Sequence, residues 1–335
     1  MPPSTPGFVM PAPSPDDAGR PAKDSVFAAS GDLATEVTRI ADGDSQNLAS
    51  LHALDPDQVD GARPKKRLGW FFWIAAGFFI LVVLLAITAP WLPIKNPAKI
   101  VARPRIAPCP QFWFGTDALG RDIFCRVIWG ARASLAVGFL SILFGGVVGT
   151  AVGVAAGYLR GKTETVLMVA MDVLLSFPAL LLALAIVNFT NSKTILTVSI
   201  ALGIVAVAPT ARLVRANALI YGQREFVTAA RSLGASHIRI LRREILPNII
   251  PPLLSFSIIA IAVAMVAEGG LSFLGLSIDA ASTATWGNMI VSGKPALENG
   301  APWISLIPSA VLFLTVLALN FSGDRIREYT DVKEG

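Results

Sequence analysis

Histidine and cysteine are nearly absent, with two of each in 335 residues. That scarcity excludes a Cys/His zinc framework and a disulfide-stapled scaffold. Charge is also sparse. Asp, Glu, Lys and Arg make up 15% of the chain, against about 25% in an ordinary soluble domain. Hydrophobic residues make up 53%. Too little polar surface remains to solvate a globule of this size, which argues against a soluble enzyme. The net charge of +5 does not point to nucleic acid, because the arginines sit between apolar runs, as they do in membrane loops.

Composition changes along the chain. Residues 1–62 are rich in Pro, Ser, Asp and Ala and hold ten acidic residues against three basic ones. No helical or strand period persists there, so the segment is expected to be disordered. It has neither the basic start nor the apolar stretch of a signal peptide. A basic cluster follows, Arg63, Lys65, Lys66 and Arg67.

Uncharged runs then dominate: Leu68–Ile94, Ala133–Leu159, Val173–Ser192, Thr194–Ala211, Ile245–Ala267 and Asn299–Gly323. A helix needs about 20 apolar residues to cross the hydrocarbon core. Backbone groups in lipid must be satisfied within the segment, so the six spans are expected to be helices. The alternating segments of a membrane barrel are absent from the sequence.

Lys and Arg in the connecting segments set the expected orientation. With the N-terminus inside, the inner segments hold the Arg63–Arg67 cluster, Arg160, Lys162, seven arginines from Arg212 to Arg243, and Arg325, Arg327 and Lys333. The outer loops after spans three and five hold only Lys193 and Lys294. The loop after span one conflicts, carrying Lys95, Lys99, Arg103, Arg105, Arg121, Arg126 and Arg132. The balance favours both termini inside. The same loop contains Cys109. Cys125 falls in it too, and two unpaired thiols are expected, since spacing alone does not define disulfide geometry.

Gly145, Gly149, Gly153 and Gly157 repeat every four residues in span two. They form a smooth stripe where another helix can approach closely. The expected use is a packing seam within the subunit. The stretch from Ala156 to Thr163 fits a relaxed P-loop pattern, but a membrane helix rather than a strand feeds its turn, so nucleotide binding is not expected. His52 and His237 lie in the tail and a loop, away from any setting for a buried catalytic base. Asp172 and Glu268 are intramembrane carboxylates, which call for a functional hypothesis. The plainer expectation is a carboxylate near a helix end, paired with a basic residue or with backbone amides.

The fourth inter-span segment is the most informative. Glu225 to Leu233 has helical composition. Gly234 permits a sharp turn, and Ala235 with Ser236 can open a second short helix. Ile238, Leu241, Ile245 and Leu246 fall at helical spacing with arginines between them, and Pro247 is expected to break the helix before span five. An apolar knob with basic flanks suits docking into a partner's groove.

These residues resemble a known family. Ala229, Ala230, Gly234, Leu246 and Pro247 match the EAA loop of ABC-importer permeases, although the motif's first position, usually Glu, is Thr228, and Glu225 lies out of register. Gly115, Thr116, Asp117, Gly120, Arg121 and Asp122 are similar to the GTDxxGRD segment of the C-type permeases for oligopeptides, dipeptides and nickel. The stretches from Glu268, from Trp286 and from Asn320 resemble later motifs of that group. The resemblance spans about residues 66–330.

It implies an all-α membrane protein with the type I ABC-importer fold: six transmembrane helices, N-in and C-in, in the cytoplasmic (inner) membrane. It also implies partners. A homologous B-type permease would complete the pathway, two ABC ATPase subunits or one fused ATPase would bind ATP and Mg, and an external solute-binding protein would deliver solute. No cofactor, metal or nucleic acid is expected on this chain, and no catalysis. The expected divisions are the acidic tail of residues 1–62, the basic anchor and first helix at 63–94, and the external loop at 95–132. A five-helix core follows at 133–323, with its coupling loop at 221–248, and then a tail at 324–335. Peptides are the expected solute class, with a nickel-class permease as the nearest alternative. An ion-coupled secondary transporter and a non-transporting scaffold stay open on the residues alone.

Overall fold

The computed structural model describes residues 70–94 and 96–331. The acidic tail, the Arg63–Arg67 cluster, Lys95 and Lys333 lie outside the described residues. The described chain is helical: α1 (Trp70–Thr88), α2 (Ile123–Leu159), α3 (Gly161–Ser176), α4 (Ala179–Thr190), α5 (Ile195–Tyr221), α6 (Glu225–Ser232), α7 (His237–Ile240), α8 (Leu246–Phe273), α9 (Trp286–Glu298) and α10 (Trp303–Asp331). A π-helical turn, Leu241–Ile245, joins α7 to α8.

Five of these units are long and apolar enough to cross a membrane singly: α1, α2, α5, the run from α7 through α8, and α10. The helices α3 and α4 form a bent pair meeting at 87°, which makes a sixth crossing when the two are counted as one span. The uncharged run Val173–Ser192, expected as one straight span, therefore breaks in the middle. The cause is Pro178. Phe177 before it is extended, with φ −83° and ψ 134°, as the ring of a following proline requires.

The proline at 247 has the opposite outcome. Expected as a break, it lies in the first turn of α8, and the helical path runs through it from His237 to Phe273. The wide π turn just before it absorbs the misfit, since a proline ring would otherwise crowd the carbonyl one turn back.

The longest contact is between α2 and α5, and the glycine stripe makes it. A Cβ added at Gly149 would lie 2.7 Å from the Thr210 Cβ and 2.7 Å from the Val207 carbonyl. Gly145 meets Ala206, Gly153 meets Val214, and Gly157 meets Ala218 in the same way. The stripe is an internal seam that runs from Gly145 to Gly157 of α2 along Ala206 to Ala218 of α5. With lipid as apolar as the side chains, close backbone approach and dispersion hold such a pair together.

Helix α2 begins at Ile123, ten residues inside the segment expected to be loop. Asp122 caps it, its carboxylate accepting from the Phe124 N–H at 2.9 Å. Arg126 and Arg132 are thus helical. The unforeseen α9 is held by a reciprocal cap in which Thr285 Oγ1 accepts from the Asn288 N–H and Asn288 Oδ1 accepts from the Thr285 N–H, each at 3.0 Å. Its Trp286 is fully buried and donates from Nε1 to the Val127 carbonyl at 2.9 Å. At the chain's other end, α10 continues to Asp331, so a helix occupies most of the segment expected as a terminal tail.

Candidate functional site

The connector between α5 and α8 projects from one end of the bundle, here the arginine-rich end. Glu225 opens α6, where a carboxylate favours the helix dipole. The helix closes in a Schellman motif: Gly234 N–H donates to the Arg231 carbonyl and Ala235 N–H to the Ala230 carbonyl, both at 3.0 Å. Gly234 takes φ +78°, and nothing lies within 4 Å of where its Cβ would be. Backbone conformation, not crowding, is what calls for glycine here. Ser236 then caps α7, its Oγ accepting from the Arg239 N–H at 3.4 Å.

The underside of the connector is anchored. Val227, Ile240, Ile245 and Ile249 are buried with Val214, Ala218 and Tyr221 of α5, and Ala230, Ala235 and Leu241 pack against them. Tyr158 at the end of α2 shares a 2.7 Å hydrogen bond between its hydroxyl and His237 Nδ1. The outer surface is apolar at its tip: Leu233 is 88% exposed and Ile238 69%, with Phe226 also exposed. Ala229, Arg224, Arg231, Arg239, Arg242 and Arg243 of the same connector are exposed as well. The expected knob of Ile238 and Leu241 is therefore revised. Leu241 turns inward and Leu233 takes its place, because the helical spacing from Ile238 does not register the reversal at Gly234. Leu246 is half-buried beside an apolar groove between α2 and α8, and Pro247 is exposed.

At the opposite end, the GTDxxGRD residues build a folded cap rather than an open loop. Thr116 Oγ1 accepts from the Ile106 N–H and donates to the Arg103 carbonyl, each at 2.8 Å. Asp117 accepts from Arg121 Nε at 2.6 Å and from the N–H groups of Leu119 and Arg121. Arg126 Nε lies 3.7 Å from the same carboxylate, and its Nη1 donates to the Pro97 carbonyl at 3.2 Å. Gly115 and Gly120 have φ +75° and +81°, and each packs against a neighbouring carbonyl. Two of the seven basic residues that conflicted with the charge rule are thus internal to the fold. No disulfide joins Cys109 to Cys125.

The two intramembrane carboxylates differ. Glu268 is 1% exposed near the end of α8. Its Oε1 accepts from Ser272 at 3.0 Å, Ser277 at 2.6 Å and Thr285 at 2.9 Å. The Gly287 backbone amide also bears on the carboxylate, as the amide alternative anticipated, and the hydroxyls are an addition to it. Asp172 pairs with Arg212 at 2.6 Å, late in α3 rather than one turn into a span. Two turns away Glu164 accepts from Arg215 Nε at 2.8 Å. The P-loop look-alike spans the end of α2 and the start of α3, with Arg160 alone between the two helices. Among the described residues, no group of three or more His, Cys, Asp or Glu is arranged to hold a metal.

The bundle, its internal seam and the protruding connector define a polytopic membrane-transport subunit. Residues 149–333 match the family described as binding-protein-dependent transport system inner membrane component. The chain is 37% identical over 299 residues, 85% of its own length and 95% of the relative's, to the glutathione transport system permease protein GsiD of Escherichia coli O6:K15:H31. The same figures hold for the proteins of that name from Shigella boydii serotype 4 and Shigella sonnei. Two inward-facing structures of the MetNI methionine ABC transporter share the fold, with TM-scores of 0.52 and 0.51 at 21% identity. They cover 61% and 62% of this chain and 96% and 97% of theirs. The chain belongs to the binding-protein-dependent inner-membrane component family: it is a multi-pass permease subunit of an ABC importer.

Proposed function

We propose that the chain forms half of an import pathway for peptides and is driven by separate ATPase subunits that dock on the connector around Gly234. The observation that carries the docking is the connector's tip. Leu233 and Ile238 are highly exposed apolar side chains on a firmly packed base, in a connector whose arginines are exposed too. Such a tip suits an apolar groove with acidic edges. The arginine-rich end is then cytoplasmic, with both termini inside. ATP and Mg sit on the ATPases, either two subunits or one fused chain, and this chain is not itself a catalyst. A homologous permease completes the pathway, and an external binding protein delivers the solute.

The peptide class draws support from the glutathione permeases, since glutathione is itself a small peptide. The test is uptake by the reconstituted complex with its cognate binding protein. Labelled di- and tripeptides, glutathione among them, are expected to accumulate and to compete with one another. Accumulation of a nickel chelate that peptides do not displace would replace this reading with the nickel-class one.

A further inference from the structure

The folded cap at the outer end leaves three cationic side chains without a use inside the fold. Arg121 and Arg126 are buried beside Asp117. Lys99, Arg103 and Arg105 are exposed, and among the described residues none of them pairs with a carboxylate. The two acidic residues between positions 96 and 132 are Asp117 and Asp122. Both are engaged, Asp117 by Arg121 and Asp122 by the Phe124 N–H. Positive charge on this side works against the orientation rule, which calls for a use outside.

The segment that bears the three cations is fixed in place. Val101 N–H donates to the Gly120 carbonyl, Arg105 N–H to the Asp117 carbonyl and Thr116 N–H to the Ile106 carbonyl, each at 3.0 Å. Thr116 Oγ1 also joins Arg103 to Ile106. Arg105 takes φ +59°, a left-handed conformation uncommon in a residue with a Cβ. Gly120 lets the segment lie close, since a Cβ there would fall 2.1 Å from the Ala102 carbonyl oxygen and 3.3 Å from Ile100 Cγ2. Ile100 and Leu119, on either side of this contact, are 65% and 55% exposed. Apolar surface therefore stands beside the charges.

A layer of lipid headgroups asks for no such fixed backbone. A protein partner gains from it, because a preorganised surface loses less freedom on binding. Arginines beside exposed apolar side chains suit the rim and core of a protein interface. The family depends on a binding protein, and in the proposed orientation that protein meets this end. We propose that Lys99, Arg103 and Arg105, with Ile100 and Leu119, form a docking surface for an acidic face of the external binding protein, and that the GTDxxGRD residues hold this surface in position. This rests on the permease reading.

The test uses the complete complex in nanodiscs of phosphatidylcholine alone. Its affinity for the cognate, solute-loaded binding protein is measured at several salt concentrations. Arg103→Glu combined with Arg105→Glu should weaken binding by about tenfold or more and flatten its salt dependence. Arg103→Lys combined with Arg105→Lys keeps the charge and should stay within about threefold of the parent. Lys193→Glu, a reversal in another outer loop, should also stay within about threefold. In vesicles, the double glutamate variant should need about tenfold more binding protein for half-maximal uptake, yet reach the parent's maximal rate at saturation. Parent-like affinity of that variant overturns the proposal. An equal loss with Lys193→Glu overturns it too, because a general field would then be at work. So does a loss that appears only when anionic lipid is added, because the arginines would then meet headgroups. Loss of the second permease from the purified variant overturns it as well, because the face would then be a subunit contact. ATP-driven uptake by the parent complex is measured alongside. Unchanged variant affinity with parent uptake intact contradicts the docking surface alone, whereas absent parent uptake contradicts the permease reading.

Discussion

Gly234 shows what a single residue contributes here. With φ +78° and open space around it, any side chain fits, and only the backbone resists. The left-handed conformation costs about 1–2 kcal/mol for a residue with a Cβ, less for Asn, whose short amide tolerates it. Gly234→Val is expected to reach the membrane at normal abundance, since insertion follows hydrophobicity. It should misplace Leu233 and Ile238 and so lose ATPase co-purification and uptake, with Gly234→Asn less affected. Wild-type co-purification and uptake by Gly234→Val would contradict the docking role. The turn was legible in the sequence because glycine between two helical patterns has few other uses. The identity of the exposed apolar residues was not. Periodicity runs along a continuous helix and cannot follow a chain reversal, so Leu233 was missed and Leu241 was assigned to the wrong side.

Legibility at the level of elements depended on where charges are neutralised. Apolar runs revealed the crossings, and the four-residue glycine repeat revealed the α2–α5 seam. The uncharged-run criterion started span three at Val173, although α3 starts at Gly161. Glu164 and Asp172 look like interruptions in the sequence and are partnered in space by Arg215 and Arg212. The π turn that carries the helix through Pro247 leaves no mark in composition. Helix α9 was missed because Lys294 and Pro295 spoil its apolar pattern, while its stability comes from Trp286 and the Glu268 hydroxyl cluster.

That cluster ties the end of α8 to the segment leading into α9, and it supports a prediction. Glu268→Gln keeps an acceptor oxygen for Ser272, Ser277 and Thr285 and should change thermal stability in detergent little. Glu268→Ala leaves buried hydroxyls without that acceptor, at about 1–3 kcal/mol for an unsatisfied group, and should lower the unfolding temperature clearly. Equal behaviour of the two variants would show that the hydroxyl bonds do not hold this region.

For the whole molecule, the division of labour is the central claim: this chain supplies a conduit and a docking surface, and energy comes from elsewhere. The apolar composition, the connector and the family all bear on it. The carboxylates offer the rival mechanism its best argument, since ion-coupled carriers use such groups within the bilayer. Here Asp172 is engaged by Arg212, and Glu268 is enclosed by hydroxyls at one end of α8. The most direct measurement is uptake of labelled peptide into vesicles holding the complete complex, with ATP and an imposed ion gradient varied independently. The account predicts accumulation that needs ATP and the binding protein, persists when ion gradients are collapsed, and stops when ATP hydrolysis is blocked. Accumulation driven by a proton or sodium gradient without ATP would contradict it.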